Sequence, residues 1–227
     1  VLMANLSYKN PVSKKAFADS NGIAITTSIV TANPNNSSVL MSCLHVLRHV
    51  TSNDRDVKAA EAKNRSHILK EVVTALKNHT QNELMLTHGL WTVLNLIAGS
   101  VENKMRFFAE HGIALLDEIA VDQERNDVIM ALVCTILLQM LKLQKVRTEL
   151  YNRATTIPML GRVLRTFTEP KPLFAASKAL YIFAQHTGAR NTIGQDLSEV
   201  ILSVIRTPVH FPRLHAVLGK LVLRSEE

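Results

Sequence analysis

The chain has 227 residues and a formal net charge of +7; 47% of its residues are apolar and 5% aromatic, with 8 Gly and 7 Pro. That balance excludes a disordered or low-complexity chain. The two cysteines, Cys43 and Cys134, exclude a disulfide scaffold and a CxxC zinc or redox site, and no apolar run approaches the roughly 18–20 residues that a bilayer span needs.

Residues 1–7 read as the tail of an amphipathic helix, with Asn5 lying 44 residues ahead of His49 in the same register. From there one grammar recurs: a short helix, a second helix, a polar joint and a longer third helix. The first full repeat has short helices over 14–20 and 23–31, a joint at 33–37, and a third helix with its apolar ridge at Leu44 and Leu47. The next runs 57–63, 67–77 and 78–82, with Leu90 and Val93 on the ridge. The third runs 104–111, 113–121 and 122–126, with Val133 and Ile136. The fourth runs 146–153, 157–166 and 169–172, with Ser177 and Leu180. The last has a helix over 197–205, a joint at 207–212, and Leu214 and Val217. Between the ridge residues Leu47, Val93, Ile136, Leu180 and Val217 the steps are 46, 43, 44 and 37 residues, the final one shortened as a terminal cap often is.

Gly22 and Gly112 fall where two of the short helices stop, and are expected to supply a left-handed residue there. Six of the seven prolines lie at such joints or first turns, and none interrupts a long apolar helix. In the third repeat Val128, Ala131, Leu132, Thr135, Leu138 and Gln139 form one stripe, and Ile129, Leu137, Leu141 and Leu143 a second. A helix apolar on two faces is expected to be buried between neighbours on both sides. Periods in the low forties, each burying its apolar face against the next, are the mark of an all-α solenoid. One repeat domain over 1–227 is expected, with units at 1–13 (partial), 14–56, 57–102, 103–145, 146–189 and 190–227.

Particular residues carry a family likeness. Trp91 and Asn95, then Leu96-Ile-Ala-Gly-Ser100, Glu102-Asn-Lys104 and Ala109-Glu-His-Gly-Ile113, resemble an armadillo repeat. The stretch from Asn5 to Pro11 followed by Lys14 to Ile23 is similar to the same pattern. By motif the likeness covers those two stretches, by period nearly the whole chain; HEAT repeats share the length range. The resemblance implies a right-handed superhelical solenoid of about five three-helix repeats, the first truncated. It also implies a concave groove lined by third helices that holds another polypeptide. In family members that bind extended basic peptides, Trp and Asn one turn apart form a ladder along that groove. The equivalent pairs here are Val1/Asn5, His45/His49, Trp91/Asn95, Cys134/Leu138, Lys178/Ile182 and His215/Gly219. One rung is complete, one keeps its Asn, and the other four lack it, so the cargo of nuclear-import members is not carried over.

The groove residues expected to meet a partner are therefore Asn5, His45, His49, Trp91, Asn95, Leu138, Lys178 and Ile182. Polar and aromatic groups near Asn5, His49, Trp91 and Asn95 give way to apolar ones near Cys134, Leu138 and Ile182. That suits a ligand extended and hydrogen-bonding at one end, helical or apolar at the other. Trp91 and Asn95 have a plainer alternative, packing into the stack and bonding a neighbouring helix end. His45 and His49 are one turn apart, a metal-compatible spacing, but two ligands without a third make a weak site and no metal is expected.

Charge is spread evenly: residues 1–112 carry 12 Lys/Arg and 8 Asp/Glu, the remainder 14 and 11. A local basic stretch comprises Lys142, Lys145, Arg147, Arg153, Arg162, Arg165 and Lys171, preceded by the acidic Asp117, Glu118, Asp122, Glu124 and Asp127. Such alternation suits a protein partner better than a phosphate backbone, which argues against nucleic acid. No phosphate loop, GxSxG elbow or paired-carboxylate scaffold is present, so neither an enzyme nor a cofactor is expected. Asn-x-Ser/Thr triplets at Asn5, Asn36, Asn64 and Asn78 read as accidental, because no signal peptide accompanies them. Both cysteines sit in apolar helical runs, as free thiols of a reducing compartment do. The expected protein is an intracellular, cytoplasmic scaffold for a protein or peptide partner, with cytoskeletal or nuclear association open. Because Val1 already lies in mid-pattern, it is expected to be cut from a longer chain or to serve a larger complex. A structural component of a cytoskeletal or ciliary assembly is the alternative, and nucleic-acid binding through the basic stretch a third.

Overall fold

The computed structural model describes residues 2–52 and 65–206, with 216, 217 and 219. Its described residues form α-helices and no strand. Two compact units divide the chain, Val1–Glu118 and Ile119–Glu227. The first holds α1 (Leu2–Ser7), α2 (Pro11–Asp19), α3 (Gly22–Ala32), α4 (Ser37–Val50), α5 (Arg65–Asn78), α6 (Glu83–Ile97) and α7 (Val101–Ala109). Helix α8 (Gly112–Asp122) crosses the division. The second unit holds α9 (Asp127–Met140), α10 (Gln144–Asn152), α11 (Thr156–Thr166), α12 (Pro170–Phe183) and α13 (Thr187–Arg206). Among the described residues no helix is long and apolar enough to cross a membrane.

Like packs on like. In the first unit the third helices α1, α4 and α6 lie in series, and the second helices α3 and α5 pack together. In the second unit α9 packs on α12 and α11 on α13. Within each unit these third and second helices therefore meet their counterparts one period along the chain, which is why the period shows in the sequence. The ridge residues Leu44, Leu47, Leu90, Val93, Val133, Ile136, Ser177 and Leu180 are at most 1% exposed. The expected helix over 57–63, the joint at 207–212 and Leu214 lie outside the described residues.

Three of the third helices start at an asparagine cap, whereas α3, α10, α11 and α12 open without a side-chain cap bond. The side chains of Asn36, Asn82 and Asn126 accept from the N–H groups of Val39 (3.2 Å), Met85 (3.0 Å) and Ile129 (3.1 Å), capping α4, α6 and α9. Asn10 and Ser100 do the same for α2 and α7. Such a cap satisfies an N–H that the first helical turn leaves orphaned. Pro11 takes the first helical position of α2, where its missing N–H costs nothing, so the helix begins ahead of the expected 14–20.

Three expectations are corrected. Gly22 and Gly112 open α3 and α8 and are not left-handed; the left-handed residues are the preceding Asn21 (φ 61°) and His111 (φ 59°). The glycines are needed for space: a Cβ on Gly22 would stand 2.7 Å from the ring and the carbonyl of Phe17, and one on Gly112 would collide with the ring of Phe107. In α9 the two stripes are unequal. Of the first, only Leu132 is buried and Val128 is 49% exposed, whereas Ile129, Val133, Ile136, Leu137 and Met140 form the interior line. The last repeat does not begin its helix at 197. Ala189, Ile193, Leu197 and Ile201 are buried at every fourth position, one apolar line that keeps α13 unbroken from Thr187 to Arg206.

Gly112→Ala is expected to cost about 1–3 kcal/mol by overpacking against the fully buried Phe107. Urea unfolding checks this, and adding Phe107→Leu should return part of the loss.

Candidate functional site

The chemistry of the first unit gathers where α1, α4 and α6 lie side by side. Helix α4 presents His45, Arg48 and His49 one turn apart, α6 presents His88, Trp91 and Asn95, and the end of α1 brings Tyr8 and Lys9. The rings form a continuous line. Tyr8 meets His49 edge-on at 5.3 Å, His49 lies 5.0 Å from His45, and His45 stacks on His88 at 4.4 Å with 13° between planes.

Arg48 ties this line to Trp91. Its Nη1 lies 3.2 Å from His88 Nδ1, and its guanidinium sits over the indole, 5.3 Å from the ring centroid. A guanidinium can only donate, so Nδ1 accepts and His88 carries its proton on Nε2. Burial, followed by the neighbouring charges of His45, Arg48 and His49, lowers the His88 pKa to about 4. Burial also lowers His45 and His49 below the ordinary imidazole value, and burial lowers Arg48 while Tyr8 opposes the change. At neutral pH these are three neutral imidazoles around one cation. Among the described residues no three His, Cys, Asp or Glu are placed to hold a metal ion.

The end of α4 is held from two sides. Asn95 Nδ2 donates to the Arg48 carbonyl (3.0 Å) and to Thr51 Oγ1 (3.3 Å). Lys14 Nζ, from α2, donates to the carbonyl (2.9 Å) and hydroxyl (2.7 Å) of Ser52. The last carbonyls of a helix lack intrahelical partners, and a cation there also complements the helix dipole. Asn95 is thus the bond to a neighbouring helix end that was one of its two expected readings. That bond uses only the NH2 group, and Oδ1 takes no hydrogen bond from the described residues.

Sequence reasoning had placed Asn5, His45, His49, Trp91 and Asn95 along these helices. Asn5 is exposed and the other four are half-buried. It missed Tyr8, Arg48 and His88. The signal was available, since each lies three residues from an expected site residue, on the same helical face (Asn5, His45, Trp91).

In the second unit the expected register slips. The caps Asn82 and Asn126 are 44 residues apart, which carries Trp91 and Asn95 onto Thr135 and Gln139, not onto Cys134 and Leu138. Cys134 has no exposed surface, and burial pushes its thiol up to about 12. Leu138, Thr135 and Gln139 are half-buried, and Gln139 Oε1 accepts from Lys142 Nζ at 2.7 Å. On α12, Lys178 is exposed over the Phe174 ring (5.8 Å) and Ile182 is half-buried. The basic residues distribute over all three kinds of helix: Lys145 and Arg147 on α10, Arg162 and Arg165 on α11, Lys171 on α12, with Lys142 and Arg153 at helix ends. Arg147 is paired with Gln144 and Arg165 with the Asp196 carbonyl. Val1 and His215, from the outermost expected rungs, lie outside the described residues.

No family model and no curated protein matches this sequence. Solved structures do match. A designed armadillo repeat protein in complex with a (KR)4 peptide superposes with a TM-score of 0.74 at 10% identity, over 98% of this chain and 90% of that one. The fold is that of an armadillo repeat protein. Two crystal structures of engineered proteins agree, both at 14% identity over 99% of this chain. Their TM-scores are 0.80 over 53% of one partner and 0.78 over 87% of the other. At these identities the likeness is one of armadillo architecture alone.

His88 gives the site a pH signature. Its folded pKa near 4 lies below the unfolded value near 6.5, so its contribution is complete above pH 6.5 and is lost as pH falls toward 4. Between pH 7 and pH 4 the protein should lose about 3 kcal/mol more stability than His88→Gln, measured by urea unfolding at each pH.

Proposed function

We propose that this chain is a non-catalytic scaffold that holds a partner polypeptide along the third-helix face of its first unit, at Asn5, His45, His49, Trp91 and Asn95. The observation that carries the reading is the state of Asn95. Its NH2 is tied to the end of α4, which fixes the amide plane and leaves Oδ1 without a partner among the described residues. A fixed acceptor beside a half-buried indole is what an extended peptide needs: one group for a backbone N–H, one surface for a side chain. The likeness to an armadillo repeat protein in complex with a peptide supports the same reading.

On α9 and α12 of the second unit, Leu138, Lys178 and Ile182 are proposed as a further contact surface, with Gln139 added by the register of the caps. The free thiols of Cys43 and Cys134, both buried, support a reducing, intracellular compartment. Nucleic-acid binding is not favoured, because the basic residues of the second unit are shared among three kinds of helix and several are bonded within the protein.

Selection of a random peptide library displayed on phage tests the proposal. Peptides recovered on the native chain should lose at least about tenfold in affinity for Trp91→Ala combined with Asn95→Ala. Stability should fall by only about 1 kcal/mol for the lost Asn95 bonds, plus what Trp91 contributes by packing. Recovered peptides indifferent to that double substitution would remove these residues from the site.

A further inference from the structure

We propose that the segment held on this face is acidic and extended, with its carboxylates taken by Arg48 and Lys9; this rests on the peptide-binding reading above and narrows it to one class of partner. Charge is the first argument. Residues 2–10 contain no carboxylate, α4 has none from Ser37 to Val50, and α6 has only Glu83, in its first turn, two turns ahead of Trp91. The cations on the same helices are Arg48 and Lys9. Among the described residues no carboxylate pairs with Arg48.

A half-buried guanidinium with no counter-ion among the described residues carries a desolvation penalty that an incoming carboxylate relieves. Its geometry is already set. The bond to His88 uses a single N–H, and the Trp91 ring supports the plane, so the remaining donors are held in place before a ligand arrives. Little further rotamer entropy is lost on binding, and a planar donor fork matches a carboxylate in two-point contact. Lys9, poised over the Tyr8 ring at 5.2 Å, supplies a second cation at the end of the same line of rings.

The neutral groups choose between classes of anion. Asn95 Oδ1 can only accept, and neutral imidazoles can both accept and donate. A peptide backbone presents N–H groups to such acceptors, whereas a phosphate backbone offers them no donor. Two cations are also few for tracking a nucleic acid, whose non-specific binding grows with the number of phosphates neutralised. For a Lys/Arg-rich peptide, of the kind held by the designed armadillo protein, Arg48 and Lys9 are repulsive.

Trp91 is the chain's sole tryptophan and lies at the site, so its emission reports binding directly. Three probes would be titrated: a short peptide alternating Glu and Ser, its Lys/Ser counterpart, and a single-stranded DNA of equal length. The Glu/Ser peptide should bind at least about tenfold more tightly than the Lys/Ser peptide. Arg48→Gln should cut that affinity about tenfold. Lys9→Gln, at an exposed position that leaves the fold intact, should cut it about two- to threefold. Equal or tighter binding of the Lys/Ser peptide overturns the acidic partner and leaves peptide binding standing. Failure of both peptides while library peptides still bind does the same. Failure of both peptides together with an empty library selection overturns both readings. Tighter binding of the DNA, indifferent to Asn95→Ala, overturns the peptide in favour of a nucleic acid.

Discussion

None of the repeats in this chain can bury its apolar stripes alone. A module of some forty residues with three short helices has too little interior for the aliphatic side chains it carries, so its stability comes from the repeat on either side. The packing of α1 on α4 on α6, and of α9 on α12, is the physical answer to that shortage. It fixes which face of each third helix is interior. It thereby decides which residues stay at the surface, and the candidate site is what remains on the other side.

The same arrangement sets a second demand, at the helix ends. Among the described residues each helix start and helix stop leaves backbone groups without intrahelical partners. Asparagine and serine caps meet the demand at the starts of α4, α6, α7 and α9. At the end of α4 it is met by Asn95 and Lys14, from two other helices. Asn95 therefore holds α4 through its NH2, while its Oδ1 takes no hydrogen bond from the described residues. The cluster of Arg48, His88 and Trp91 depends on that hold, because α4 supplies its cation and α6 its aromatic partners.

Much of the fold could be read from the residues, and the reason is physical. Apolar ridges repeat because like helices meet like helices, so Leu44, Leu90, Val133 and Ser177 share one environment and fall at nearly even steps. Ridges are blunt markers of register, however. Neighbouring apolar residues can substitute for one another, and the choice of Cys134 over Thr135 slipped by one position for that reason. Caps are sharper, since only one residue can accept from the N–H three ahead, and Asn36, Asn82 and Asn126 give the register without ambiguity. The role of Gly22 and Gly112 was not legible, because close approach to Phe17 and Phe107 depends on where the rings turn. Within the site, Trp91 and Asn95 stood out by pattern. Arg48 and His88 did not, because their meaning comes from a contact between side chains 40 residues apart.

The shared asparagine cap of α4, α6 and α9 bears on how such a chain can be lengthened or shortened. Asn36, Asn82 and Asn126 open equivalent helices with the same bond, so a cut at one and a splice at the next joins a helix entry to an identical helix entry. Duplication or loss of the stretch between two of these asparagines keeps the same entry bond at each of the third helices they cap. Asn36, Asn82 and Asn126 thus mark seams at which one stretch could replace another while the bond that opens a third helix stays the same.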